Sequence, residues 1–268
     1  MYTGTEATSP LVSVIMPAYN MAAFIEEAIA SVQSQSISDW ELIVIDDCSR
    51  DSTREIVGAM AQKDPRIRFL CNEENMGVAK TRNRGMELFR GKYVAFLDSD
   101  DYWMPNMLEE MVRRAEETGA DIVYCSYKLV DEQGKKVCND FLVPPETTFE
   151  ESIVRSVITC STVLVTAELA RENRFPTDMY HEDIAMWFRI LREGGVARGV
   201  AQVLAAYRQR SDSRSAGKLV SARRRWTIYR HHLKLPVAKC LMTMVQYGFY
   251  GVMKYKKVTG AGGVCRDV

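Results

Sequence analysis

The sequence predicts an α/β fold: a mostly parallel sheet flanked by helices, followed by a C-terminal helical extension. Three observations carry that expectation. Short apolar runs alternate with helix-period segments as far as Cys125, which implies parallel strands joined by right-handed crossovers. The runs end in polar, acid-rich tips, and in an open α/β sheet ligands collect beyond the carboxyl ends of the strands. Beyond Ala206 the chain changes character and becomes strongly basic.

The elements follow in order. Leu11 to Met16 reads as a first buried strand, stopped by Pro17, and Phe24, Ile25, Ala28, Ile29 and Val32 place a helix over Met21 to Gln35. Glu41 to Ile45 is a second strand, ending in Asp46-Asp47. Asp51-Ser52-Thr53 caps a helix that runs towards Gln62. Ile67 to Leu70 is a short third strand, and Val78 to Phe89 a helix. Tyr93 to Leu97 is an apolar strand that ends in Asp98-Ser99-Asp100-Asp101. A helix over Pro105 to Glu117 leads to a strand over Asp121 to Cys125. Asp131 to Pro145 reads as a hairpin or loop, punctuated by Gly134 and Pro144-Pro145. Ser161 to Thr166 is a strand, Met179 to Arg192 a helix and Val196 to Tyr207 a last strand.

Composition bounds the classes open to the chain. Its 268 residues allow one large domain or a domain with an appendage, and 47% hydrophobic residues with 26% charged ones suit a soluble globular protein. The 35 Lys and Arg balance the 35 Asp and Glu, but not evenly. From Ala206 to Lys257, 13 Lys and Arg stand against the single acid Asp212, so this stretch carries +12 and the remainder −12. That asymmetry points to an anionic partner surface. The seven scattered Cys show no C-x-x-C spacing, which indicates neither a zinc site nor a disulfide frame and fits a reducing cytosol. No secretory leader is expected in Met1 to Pro10.

Two helices are expected to close the chain. Leu219, Ala222, Trp226, Tyr229 and Leu233 form a narrow apolar seam on the first. In the second, Cys240 to Met253 carries no charge, and Lys254, Lys256 and Lys257 follow. Such a run is too short to span a bilayer, which needs about 20 apolar residues. It suits a helix lying in a membrane interface, so Arg223 to Lys257 is expected to meet an anionic membrane. Packing on the rest of the protein, or on a second subunit as a homodimer, is the competing explanation. A nucleic-acid-binding tail is disfavoured by the uncharged stretch.

Chemistry is concentrated at the predicted strand ends. There is no G-x-G-x-x-G and no G-x-x-x-x-G-K-[ST], so neither dinucleotide nor Walker-type phosphate binding is supported. The ends carry Pro17-Ala18-Tyr19-Asn20, Asp46-Asp47-Cys48-Ser49 and Asp98-Ser99-Asp100-Asp101, and the third crossover adds Asn75 to Asn83. Asp98 and Asp100 form an Asp-x-Asp pattern in which both carboxylates can turn to one divalent cation. Oxygen donors suit Mg²⁺ or Mn²⁺, which shares its remaining positions with substrate phosphates. A solvated acidic turn, ordinary helix caps at Asn20 and Asp47, and merely solvated Lys80 and Arg82 are the plain alternatives.

Taken together, VSVIMPAYN, VIDDCSRDST, NMGVAKTRNRG and FLDSDD resemble the donor-binding half of an inverting family-2 glycosyltransferase of GT-A fold, of the bacterial surface-polysaccharide type. The resemblance is close from Leu11 to about Pro105 and looser to Ser215. It implies a hexosyl- or N-acetylhexosaminyl-transferase acting in the cytoplasm, peripheral on the inner face of the plasma membrane. Residues 1–10 are then a lead-in and 11–215 the catalytic domain, with a donor half (11–105) and an acceptor half (106–215). Residues 216–257 form a basic amphipathic tail and 258–268 a flexible end. The resemblance further implies that Pro17, Ala18, Tyr19 and Asn20 line a nucleoside pocket and that Asp47 accepts a hydrogen bond from a base, uracil or thymine rather than cytosine. Arg82 would approach the base or pyrophosphate, with Lys80 and Ser99 nearby and Asn75 and Gly77 shaping the loop. Asp100 would be the main ligand of Mn²⁺ or Mg²⁺, and Asp98 would contact ribose or metal.

His181-Glu182-Asp183 resembles the family's Glu-Asp motif. Asp183 is expected to be the base for an acceptor hydroxyl, ionised under the helix dipole, with Glu182 as orienter or acceptor contact. Plain N-capping is the alternative. Tyr207 to Ser213 resembles the family's Tyr-Arg-x-His…Ser segment, but Arg210 stands where His is usual, and Arg is no metal ligand. Either the metal then has fewer protein ligands, or Arg208 and Arg210 neutralise the leaving diphosphate. The implied partners are a nucleotide-sugar donor, a UDP-sugar in particular, and a glycan or lipid-linked saccharide acceptor, with no nucleic acid. A sugar-nucleotidyltransferase would need a Gly-rich loop that is lacking here. A non-catalytic nucleotide-sugar-binding protein would not need both Asp100 and Asp183.

Overall fold

The computed structural model describes residues 9–210 and 218–258. The lead-in up to residue 8, Ser211 to Ser213 of the segment after Tyr207, and the C-terminus beyond residue 258 lie outside the described residues. Four strands, β1 (Val12–Ala18), β2 (Trp40–Asp46), β3 (Ile67–Cys71) and β4 (Tyr93–Phe96), run parallel in the order β3-β2-β1-β4. Their crossovers are α1 (Ile25–Gln33), α2 (Thr53–Lys63) and α3 (Val78–Leu88). Alternate residues of β1 feed two cores: Val12, Val14 and Met16 pack in one, and Ile15 packs in the other with Met86 of α3. Burial on both faces is why these strands read as unbroken apolar runs.

Pro17 does not stop the first strand; it pairs with Ile45 inside it. In a parallel ladder, alternate residues turn their polar groups to opposite neighbours. Ile15 faces β4, because its carbonyl accepts from the Leu97 N–H at 3.1 Å. Pro17, two residues on, faces the same way, but β4 has already ended at Phe96. The missing N–H therefore costs no ladder bond. The first helix is also shorter than its periodicity implies, because Met21 to Phe24 form turns before Ile25.

The second half is mixed. It comprises β5 (Tyr102–Trp103), α4 (Met107–Thr118), β6 (Ile122–Val130), β7 (Glu146–Thr147), α5 (Phe149–Arg155), β8 (Val163–Thr166), α6 (Ala167–Glu172), α7 (Glu182–Arg192) and β9 (Ala197–Arg208). β8 lies antiparallel between β4 and β6, and the sheet continues through β9 to β5, with β7 also on β9. β6 outruns its predicted end at Cys125 by five residues, to Val130. Isolated antiparallel bridges, Tyr127 with Phe141 and Val130 with Lys136, fold the following hairpin back on it.

The tail consists of α8 (Lys218–Thr227), a π-helical turn over Ile228–His232, and α9 (Val237–Val258). The π turn, in which the Leu233 N–H reaches the Ile228 carbonyl at 2.8 Å, carries Tyr229 and Leu233 of the predicted seam into the interior, with Trp226 packed against them. It turns Ile228 inward beside Tyr229 and Leu233. These three, with Leu235 and Cys240, form a third core against Ile153 and Val154 of α5 and Ala185 and Phe188 of α7. The tail is thus packed on the rest of the protein. No described helix is long and apolar enough to cross a membrane.

Candidate active site

The tips of β1, β2 and β4 share one edge of the sheet, and side chains tie their loops together. Asn20 (φ 54°) follows β1 and Cys48 (φ 63°) follows β2, both in the left-handed region. The Asn20 N–H donates to Ser49 Oγ at 2.9 Å, and Asn20 Oδ1 accepts from the Arg50 N–H at 2.8 Å. Pro17 and Ala18 are buried within β1, so of the four residues expected to line a pocket only Tyr19 and Asn20 reach the surface.

Asp47 carries a different load from the one expected. Its Oδ1 accepts from Asn72 Nδ2 at 2.7 Å and the Met76 N–H at 2.8 Å, and its Oδ2 from the Gly77 N–H at 2.8 Å. Its carbonyl accepts from Asn75 Nδ2 at 3.0 Å. The buried carboxylate is therefore the anchor of the loop that precedes α3. Gly77, at φ 83°, makes the sharp turn into that helix.

Arg82 and Lys80 leave α3 on different sides. Lys80 is exposed on the face that also carries Asn83, Arg84 and Glu87. Arg82 is 2% exposed and turned inward, where Nη1 donates to Glu182 Oε1 at 2.7 Å and Nη2 to Asp98 Oδ1 at 2.5 Å. Its guanidinium also lies 5.4 Å from the Phe175 ring centroid. Burial opposes its charge, but Asp98, Glu182 and Asp183 around it more than compensate and hold the guanidinium protonated. In this structure Arg82 bridges two carboxylates, whereas the sequence expectation placed it against a base or diphosphate.

The three acids after β4 have separate fates. The Asp98 N–H is held by Ser161 Oγ at 3.1 Å, from the turn that opens β8. Asp100 meets Arg210 through Oδ2 at 3.3 Å, and burial together with the charge of Asp98 raises its pKa. Asp101 is turned inward, where Oδ1 accepts the Arg208 N–H at 2.8 Å, and burial keeps its carboxyl well above the usual range. Ser99 is buried between them. Arg82 at Asp98 and Arg210 at Asp100 offset the mutual repulsion of these acids. Among the described residues, no group of three or more His, Cys, Asp or Glu is placed to hold a metal ion.

Arg208 is committed to structure. Its Nε donates to the Asp100 carbonyl at 2.8 Å, Nη1 to the Asp131 and Glu132 carbonyls at 3.2 and 3.0 Å, and Nη2 pairs with Glu27 at 2.5 Å. It clamps the acidic loop to α1 and to the end of β6, and of the two arginines it is Arg210 that pairs with the Asp100 carboxylate.

Glu182 and Asp183 open α7, entered through His181 at φ 60°. Glu182 is buried and paired with Arg82. Asp183 is half-buried, and desolvation pushes its carboxyl up to about 6; the Glu182 charge adds to the shift and Arg82 opposes it. Burial thus works against the helix dipole, yet a carboxyl at about 6 is still mostly ionised at neutral pH.

TuaG of Bacillus subtilis (strain 168), named for teichuronic acid biosynthesis, is 36% identical over 245 residues, covering 91% of this chain and 97% of TuaG. The family model "Glycosyl transferase family 2" matches residues 13–137. The chain belongs to glycosyltransferase family 2. WfgD of Escherichia coli, named a UDP-Glc:alpha-D-GlcNAc-diphosphoundecaprenol beta-1,3-glucosyltransferase, is 31% identical over 246 residues, covering 91% of this chain and 95% of its own. Staphylococcus aureus TarS 1-349, solved with UDP-GlcNAc, superposes with a TM-score of 0.70 at 22% identity over 92% of this chain and 73% of that one. A Pyrobaculum calidifontis mannosyltransferase, solved with GDP-Man and Mn2+, gives 0.63 at 20% over 96% and 77%. The fold of this glycosyltransferase is therefore GT-A.

Several residues that build the site of this family-2 glycosyltransferase are absent from the motif reading. Asn72 and Ser161 hold Asp47 and the Asp98 backbone, Glu27 pairs with Arg208, and Phe175 lies beside Arg82. Each comes from outside the four motifs and is brought in by strand order. A polar residue closing a strand, as Asn72 does after β3, is the one signal of this kind present in the sequence.

Proposed function

We propose that this glycosyltransferase moves a sugar from a UDP-sugar, with inversion, to a hydroxyl of a lipid-linked saccharide in bacterial surface-polysaccharide synthesis. The observation that carries the reading is the Arg82 bridge. One guanidinium spans Asp98, two residues from Asp100, and Glu182, which adjoins Asp183. Acids suited to a diphosphate-bound cation and an acid suited to proton removal are thereby linked through one guanidinium, which supports their acting together. The name of WfgD supports a UDP-sugar donor and a diphosphate-lipid acceptor, and that of TuaG supports a surface polymer.

Asp98 and Asp100 fit a divalent cation. Both are carboxylates, and each has a second oxygen besides the one given to Arg82 or Arg210. With two protein ligands, diphosphate oxygens and water would complete the coordination. When bound, Mn²⁺ or Mg²⁺ supplies positive charge that stabilises the departing diphosphate.

The chain's own residues do the rest. Tyr19 and Asn20 offer the exposed surface for the nucleoside, beside the loop of Asn75 and Gly77 that Asp47 anchors. Arg210, beside Asp100, is placed to receive diphosphate charge. Asp183 takes the acceptor proton as the hydroxyl oxygen bonds to the anomeric carbon and the bond from that carbon to the diphosphate breaks. A pKa near 6 keeps it mostly ionised at neutral pH while leaving it basic enough to accept a proton. Glu182, held by Arg82, orients the helix start. The test is a panel of nucleotide sugars screened for Mn²⁺-dependent protection against thermal unfolding. Protection by UDP-sugars alone supports the reading, and protection by none of them defeats it.

A further inference from the structure

The tail grips α7 along its length. At the N-terminal end Arg224 stacks 3.9 Å from the ring centroid of Tyr180, three residues before Asp183. In the middle the Tyr229 and Phe188 rings stack at 6.4 Å, with Arg225 at 5.4 Å from Phe188. At the C-terminal end Arg192 Nη1 donates to the Leu233 carbonyl at 2.5 Å. α9 is tied to α5 by Lys239 with Glu150 at 2.6 Å and by Arg155 with the Tyr250 hydroxyl at 3.3 Å.

Among the described residues, the other face of α9 has no such cover. Cys240 and Thr243 point inward, while Val237, Leu241, Met242, Val245 and Phe249 are 51%, 55%, 56%, 74% and 64% exposed. Val237, Leu241, Val245 and Phe249 recur every four residues and Met242 lies three before Val245, so together they make one apolar stripe. From Lys218 to Val258 the chain contains ten Lys and Arg and no Asp or Glu. A second copy of this chain would bring two such cationic segments together, which like-charge repulsion opposes. A nucleic acid would meet an apolar row where it needs cations. An anionic bilayer satisfies both features, since its interface takes the apolar row and its headgroups take the charge.

We propose that the Leu241–Met242–Val245–Phe249 face of α9 lies in the interface of an anionic bilayer, and that α8 and the π turn transmit that seating rigidly to α7. Docking would then set the height of Asp183 over the membrane from which a lipid-linked acceptor presents its hydroxyl. This deepens the proposed function and rests on its acceptor class.

The test is sedimentation of the full chain with vesicles of phosphatidylglycerol mixed into phosphatidylcholine, and of phosphatidylcholine alone. The intact protein should pellet with the anionic vesicles at least tenfold more than with the neutral ones. A V245D/F249D double variant should lose that binding while keeping its circular dichroism and its melting temperature. Binding unaffected by V245D/F249D, or equal binding to both vesicle types, would overturn the proposal. So would an ultracentrifuged protein that is dimeric as the parent, monomeric as V245D/F249D, and indifferent to vesicles. Nucleotide-sugar protection measured on the same preparations separates the two readings. Protection without vesicle binding defeats the docking surface alone, and vesicle binding without protection defeats the donor assignment.

Discussion

Arg82 Nη1 donates to Glu182 Oε1 at 2.7 Å across 100 residues of sequence, with both side chains almost wholly buried. The contact joins the third crossover helix to the helix that bears the candidate base, and the other arm of the same guanidinium holds Asp98. A buried charge pair is costly to break from one side, because the partner is left unpaired out of water. Arg82→Met should therefore lower stability by about 3 kcal/mol, the low end of the range for one-sided loss of a buried pair, since Asp98 is part-exposed and can rehydrate. Urea unfolding checks this. Arg82→Lys should recover part of it, because an ammonium reaches one acid but not both in the planar geometry.

The pH dependence of transfer follows from Asp183. The carboxyl titrates at about 6, so the base form falls about tenfold per pH unit below that point and saturates above it. A rate profile rising to a plateau near pH 7 is expected. Stability runs the other way for this group. A folded-state pKa raised above the unfolded one stabilises the fold below the unfolded value, and that contribution is lost as pH rises through about 6. Asp183→Asn should thus be at least as stable as the parent at pH 8, as a melting curve at that pH would show.

Gly77→Ala isolates backbone strain. Nothing lies within 4 Å of the added Cβ, but φ is 83°, which L side chains rarely adopt. The substitution should destabilise by about 1 to 2 kcal/mol and loosen the loop that Asp47 anchors. Weaker nucleotide-sugar protection, with kcat less affected than KM, is the expected kinetic signature.

Arg210→His places a possible metal ligand beside Asp100. The half-saturating Mn²⁺ concentration for activity should drop several-fold, measured by metal titration of transfer at fixed donor. An unchanged value would show that position 210 acts on the diphosphate and not on the cation.

Much of this fold is legible in the sequence, because strands buried on both faces announce themselves as apolar runs and their tips as acids and turns. β1 to β4 and the edge they share are of that kind. Pro17 misleads, because whether a proline ends a strand depends on which neighbour its nitrogen faces, and that is a property of strand order. β8 is readable as a strand but not as an antiparallel one. α5 carries a capping box at Thr148 and Glu151 that the periodicity reading passes over. In the site, residue types were legible and side-chain direction was not. Arg82 and Arg208 look like exposed cations in a motif, yet both are buried among carboxylates and carbonyls. Trp226, Tyr229 and Leu233 of the tail seam do pack inward, and the π turn adds Ile228 to them, which the seam did not include.

The central claim is that Asp183 is the base in a cleft whose donor side is otherwise intact. The most direct measurement compares Asp183→Asn with the parent for transfer rate and for UDP-sugar protection in Mn²⁺. The account predicts a loss of turnover of a hundredfold or more, with the thermal shift on donor binding retained. Turnover within a few-fold of the parent would contradict it.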